Sequence, residues 1–236
     1  MATNPPSPQQ IEELVNNIAF FREIPRELLI ETISYVSLRK YPCSQSILFD
    51  NHCDGSIYFI ADGWIKVCIS DERRKNNLYR LYGVGEIIGA IAAVEENWRP
   101  IEAVTLTSAM VWSIRSKDFS RLLKRYPQSG IQVAIFISKR LRKLNQYFRL
   151  QEAESTVKIA NLLLELVGSR VSPQKQRVLI PNLPHREIAA ISGITRETAS
   201  RSLTKLEKRG LIRRQGATIE ILQLELLQNL VTAELK

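Results

Sequence analysis

Hydrophobic positions recur at helical spacing, then alternate, then return to helical spacing, and that order divides the chain. After a Pro-rich start, Ile11, Leu14, Val15 and Ile18 share one face of a helix opened by Ser7 or Pro8. A second helix begins near Pro25, with Leu28, Leu29, Ile33 and Val36 apolar. From about Leu38 the period falls to two. Strands are predicted at Ser46–Phe49, Ser56–Ala61, Trp64–Ile69, Leu78–Tyr82, Ala103–Leu106 and Ala109–Ile114. Asp62-Gly63 separates two of them and is a strong hairpin signal. Asp71–Asn77 is a polar hairpin tip. Many short strands with glycine-marked turns predict a small barrel or jelly-roll. Between strands, closely spaced glycines (Gly83, Gly85, Gly89) run toward small residues at 90–94. Their backbone N–H groups either cradle an anion or simply turn a barrel corner.

Helical spacing returns at Lys117–Tyr126, which Pro127 ends, and continues in a long helix from about Gln128 to Gln151. Ile131, Ala134, Ser138, Leu141, Asn145 and Phe148 follow alternating three- and four-residue steps, a heptad seam that Ile135, Ile137 and Leu144 widen. Such a stripe packs on its own barrel or on a second copy. A further helix capped by Ser155 or Thr156 runs to Val167. A polar connection with a short strand at Val178–Ile180 follows.

Then comes helix, turn, helix. Ile188, Ala189 and Ile191 make the first helix apolar on one side, Gly193 suits a sharp turn, and Thr195 caps the second helix. Thr198 or Ala199, with Leu203 and Leu206, supplies the buried side. Arg196, Glu197, Ser200 and Arg201 remain on the other face near its start, as in a helix whose first turns enter a DNA major groove. Gly210 closes it, residues 211–221 alternate about Gln215-Gly216 as a wing hairpin, and Leu222–Leu235 is a last amphipathic helix.

Charge separates along the same line. Residues 1–124 carry 14 Lys and Arg against 15 Asp and Glu, net −1, while residues 125–236 carry 19 against 9, net +10. One half therefore has the sign for a polyanionic partner. Cys43, Cys53 and Cys68 form no C-x-x-C pair and read as inert thiols of a reducing cytosol; His52-Cys53 is weak evidence for a metal. No apolar run reaches the ~18 residues of a membrane span, and the first residues lack a secretory signal, so a cytoplasmic protein without membrane attachment is expected. No nucleophile–base or metal constellation points to an enzyme.

Two blocks of residues resemble the cAMP receptor protein/Fnr family of bacterial transcription regulators. One runs from Arg39-Lys40-Tyr41-Pro42 through Ile57–Val67, and the more specific one is Ile194-Thr195-Arg196-Glu197-Thr198-Ala199-Ser200-Arg201 with Leu206-Glu207. The run Pro181–Glu187 is most similar to cyanobacterial members. The resemblance implies an α+β chain: a cyclic-nucleotide-binding-like β-roll with N-terminal helices (1–126), a dimerisation helix (127–152) and a winged helix-turn-helix (153–236). It implies TGTGA-like palindromes read by a homodimer, with RNA polymerase as a further partner. Arg196 and Arg201 would each fork onto a guanine and Glu197 would accept from a cytosine amino group. His185, Arg186, Thr195, Ser200, Thr204 and Lys205 are placed for phosphates.

The effector pocket departs from the family pattern. Gly89 is followed by Ala90 where the family has Glu. Pro100-Ile101 stands where it has Arg-Ser, with Arg99 one residue early. Leu144-Asn145 replaces the Thr-Ser adenine contacts. The loss amounts to roughly two charge-assisted bonds at ~1.5–3 kcal/mol each, so cAMP binding is expected to be weak or absent and no cofactor is assigned. No cysteine precedes Cys43 to hold a cluster, and His52 is the only histidine in the roll for a haem. A second reading follows from a lost pocket beside a kept seam: a modulatory subunit that heterodimerises with a cAMP-competent relative. A cyclic-nucleotide-controlled enzyme or channel is opposed by the complete winged helix.

Overall fold

The computed structural model describes residues 6–47, 55–71, 76–89, 102–168 and 178–235. The chain forms two compact units, residues 1–139 and 140–236, and the long helix contributes to both.

In the first unit, α1 (Pro8–Asn17) opens on a capping box, with Ser7 Oγ accepting from the Gln10 N–H and the Gln10 side chain accepting from the Ser7 N–H. A single 3₁₀ turn, Ala19–Phe21, leads to α2 (Arg26–Thr32). Among the described residues eight strands follow: β1 (Val36–Tyr41), β2 (Ser46–Ile47), β3 (Ser56–Asp62), β4 (Ile65–Asp71), β5 (Asn76–Tyr82), β6 (Ile87–Ile88), β7 (Glu102–Thr105) and β8 (Ala109–Arg115). They form two antiparallel sheets, ordered β1-β8-β3-β6 and β2-β7-β4-β5. β3 is apolar on both faces because both are covered. Ile57 and Phe59 pack with Phe21, Trp112 and Phe119 beneath the helices, while Tyr58 and Ile60 face Ile65, Val67 and Val111 inside the roll.

The Asp62-Gly63 turn is not a hairpin. β3 and β4 belong to different sheets, so the turn is a corner where the chain crosses between layers. Gly63 has φ +85°, and a Cβ there would meet the Ser108 carbonyl oxygen at 2.3 Å. Trp64 N–H donates to Thr107 Oγ1 instead of to a hairpin partner. Residues 83–89 also form a corner. Gly83 N–H donates to Glu86 Oε2 at 2.7 Å and Gly85 N–H to the Ile60 carbonyl at 2.9 Å, so those donors are committed within the fold. The strand residues Leu48 and Phe49, the hairpin tip at 72–75, the small residues at 90–94 and the pair His52-Cys53 lie outside the described residues.

α3 (Ser116–Arg125) is followed at once by α4 (Pro127–Arg149). Pro127 opens the long helix as much as it ends the short one, its missing N–H costing nothing in a first turn. α4 buries Ser129 and Val133, with Phe136 packed beside them.

In the second unit, α5 (Ser155–Val167) buries Ile159, Leu162, Leu163 and Leu166. Its cap position is held by Glu154, not by Ser155 or Thr156 as the sequence suggests, and the Glu154 side chain makes no capping bond. β9 (Val178–Pro181), β10 (Ile212–Gln215) and β11 (Thr218–Ile221) form one sheet ordered β10-β11-β9. Between them lie α6 (His185–Ser192) and α7 (Arg196–Lys208), and α8 (Leu224–Glu234) ends the described chain. The C-terminal part of α4 is tied to α5 by Gln146 Nε2 donating to Asn161 Oδ1 (2.6 Å) and Tyr147 OH donating to Glu165 Oε2 (3.0 Å). No helix among the described residues is long and apolar enough to cross a membrane.

Candidate nucleic-acid interface

The second unit builds its functional face from the turn between α6 and α7. Ile188, Ala189 and Ile191 of α6 and Ala199, Leu203 and Leu206 of α7 are buried together, which fixes the two helices against each other. Gly193 adopts φ +65°, ψ +37° at the end of α6 and reverses the chain. Thr195 Oγ1 then accepts from the Thr198 N–H at 3.2 Å, capping α7 as expected.

This leaves Arg196, Glu197 and Arg201 exposed on the first two turns of α7. Arg201 Nη2 donates to Thr198 Oγ1 at 3.3 Å, which steadies its guanidinium beside the helix start. Thr195, Arg186 and Lys205 are exposed, and His185, Ser200 and Thr204 are half-buried. Arg186 pairs with Glu187 at 3.5 Å. Thr204 is already engaged: its hydroxyl donates to the Ser200 carbonyl at 3.0 Å and accepts from Arg214 at 3.3 Å.

Further along α7, Ser200, Arg201, Thr204, Lys205, Lys208 and Arg209 line an open groove of about 500 Å³. Lys208 and Arg209 do not emerge from the motif, although their spacing from Arg201 and Lys205 puts them on the same side of the helix. The wing is also braced. Arg214 of β10 holds Glu207 of α7, whose carboxyl is lowered first by the Arg214 side chain and then by its backbone N–H. Asn182 Nδ2 donates to the Gly216 carbonyl at the wing tip, 2.8 Å away.

All six seam residues, Ile131, Ala134, Ser138, Leu141, Asn145 and Phe148, are exposed along α4, and Ile135 and Ile137 extend the apolar stripe. Ile131, Leu141 and Phe148 are 63%, 56% and 61% exposed, more than single surface hydrophobes explain. Among the sequence-derived pocket residues, Gly89 follows β6 at φ +86°, Leu144 is half-buried and Asn145 is exposed on α4. Ala90, Arg99, Pro100 and Ile101 lie outside the described residues.

The chain matches the family model of the cyclic nucleotide-binding domain over residues 38–126 and that of the Crp-like helix-turn-helix domain over residues 157–230. It is 26% identical to the cyclic AMP receptor protein of Thermus thermophilus, over 84% of this chain and 89% of that protein. It is also 26% identical to the cAMP-activated global transcriptional regulator CRP of Escherichia coli, over 80% of this chain and 91% of the relative. In fold it is similar to FixK2 from Bradyrhizobium japonicum, with a TM-score of 0.68, 17% identity, and coverage of 83% of this chain and 97% of that one.

Proposed function

The chain belongs to the Crp/Fnr family of DNA-binding transcription regulators, and from that premise we propose that it reads TGTGA-like palindromes as a homodimer and responds weakly or not at all to cAMP. The observation that carries this is the exposure of Arg196, Glu197 and Arg201 on the first turns of a capped helix whose other face is buried. A planar guanidinium satisfies both guanine acceptors at once, and a carboxylate suits the cytosine amino donor. Arg186, Thr195, Lys205, His185 and Ser200 set the register through phosphates. Thr204 is better suited to steadying the wing through Arg214 than to meeting DNA first. The exposed α4 stripe supplies the two-fold contact that places two such helices on one palindrome. RNA polymerase is the further protein partner in this reading.

Gel-shift titration on a TGTGA-type palindrome and on a scrambled duplex tests the reading. Arg196→Ala and Arg201→Ala should each weaken palindrome binding about 10- to 100-fold and leave the scrambled duplex less affected. Equal binding by parent and variants removes the base-contact assignment. The weak response to cAMP rests on Ala90 and Pro100-Ile101 replacing the groups that hold ribose and phosphate. Micromolar cAMP affinity by calorimetry would overturn it. The same exposed stripe also fits pairing with a cAMP-competent relative. Sedimentation of the chain alone, compared with co-purification with such a relative, decides between self-pairing and the modulatory role.

A further inference from the structure

The start of α5 touches one cation of the basic groove of α7. Glu154 precedes the first turn of α5, and its Oε1 lies 2.5 Å from Lys205 Nζ. The same oxygen accepts from Thr156 Oγ1 at 3.1 Å. Since the side chain does not cap α5, its role at this position is the contact with Lys205. The Lys205 hydrogen bond, then that of Thr156, with further attraction from Lys205 and Arg209, holds the Glu154 carboxyl below its ordinary value. It is therefore ionised at neutral pH.

A carboxylate seated on the ammonium of a groove that also presents Arg201, Lys208 and Arg209 has the single negative charge and the paired acceptor oxygens of a nucleic-acid phosphate. We propose that Glu154 is an internal stand-in for a backbone phosphate, occupying Lys205 until a DNA phosphate displaces it. This rests on the DNA-binding reading above. Both side chains are about half exposed, so the pair opens readily and the brake is mild. It is also blind to sequence, because a phosphate contact carries no base information. While the pair stands Lys205 neutralises no phosphate; displacing Glu154 frees it to do so, at the cost of breaking a pair that salt itself weakens.

Glu154→Gln tests this in the full chain, because the amide oxygen still accepts from Thr156. The measurement is affinity against salt concentration on the palindrome and on a scrambled duplex. Glu154→Gln should tighten both by the same factor, about fivefold at most. The gain should be largest at low salt and shrink as salt rises, because salt already weakens the pair in the parent. With Lys205→Gln already in place, Glu154→Gln should change the affinity little, and Glu154→Ala in the parent should give the same gain as Glu154→Gln. Parent-like affinity of Glu154→Gln at low salt, or a gain confined to the palindrome, overturns this inference alone. Absence of binding by both parent and variant, even at low salt, overturns the DNA-binding reading and this one with it.

Discussion

Arg214, in the wing, grips Glu207, near the end of the recognition helix, from three donors. Its Nε and Nη2 lie 2.9 and 2.6 Å from Oε2, and its backbone N–H donates to Oε1 at 2.9 Å. The pair spans seven residues of chain and crosses the bend at Gly210, so one carboxylate sets both the side chain and the backbone of the wing's first strand. Arg214→Ala should lower the stability of the second unit by about 1 kcal/mol, since the pair is partly exposed but multiply hydrogen-bonded. Thermal unfolding measures the loss. Arg214→Lys, with no fork, should recover only part of it.

The same pair makes a pH prediction. Arg214 lowers the Glu207 carboxyl in the folded protein, and Lys205 lowers that of Glu154. A group depressed on folding contributes stability above its unfolded value, near 4.3 for Glu, and loses it as pH falls through the folded value. The parent should therefore lose stability more steeply than Glu207→Gln as pH drops below about 4.3. Denaturant melts across that window check it, and identical acid limbs would show that the pair contributes nothing.

Leu141 is 56% exposed on the apolar stripe of α4. Leu141→Glu should leave the protomer folded while breaking self-association, because nothing among the described residues covers that side chain. Sedimentation should shift from dimer to monomer. Affinity for the full palindrome should fall by at least about tenfold while half-site binding is retained. A variant that remains dimeric places the interface elsewhere.

Gly193 sits at φ +65° with open space around the position a Cβ would take. Only backbone strain opposes a side chain there. Gly193→Ala should cost about 1 kcal/mol and Gly193→Asn clearly less, since Asn tolerates the left-handed region. The order of the two melting temperatures is the check; equal values would mean the turn relaxes.

Much of this chain is legible from spacing alone. The six-residue stripe of α4 comes directly from heptad steps, and the whole stripe is exposed as one continuous face. Thr195, Gly193 and the buried Leu203 and Leu206 follow from local rules, because caps, turns and helical faces depend on residues within four positions of one another, while the choice of Ala199 over Thr198 on that face came from the structure. Contacts between distant residues are a different matter. Asp62-Gly63 carries a strong local hairpin signal, yet the chain turns into the second sheet, because pairing with β8 and β7 holds β3 and β4 in separate layers. Glu154 and Lys205 are 51 residues apart, and no periodicity relates them. The motif at 194–201 determined which side chains stand exposed on the first turns of α7. Only the packing of α5 against α7 decided that a carboxylate should stand on one of its cations, because that meeting depends on how buried faces fit and not on any local pattern.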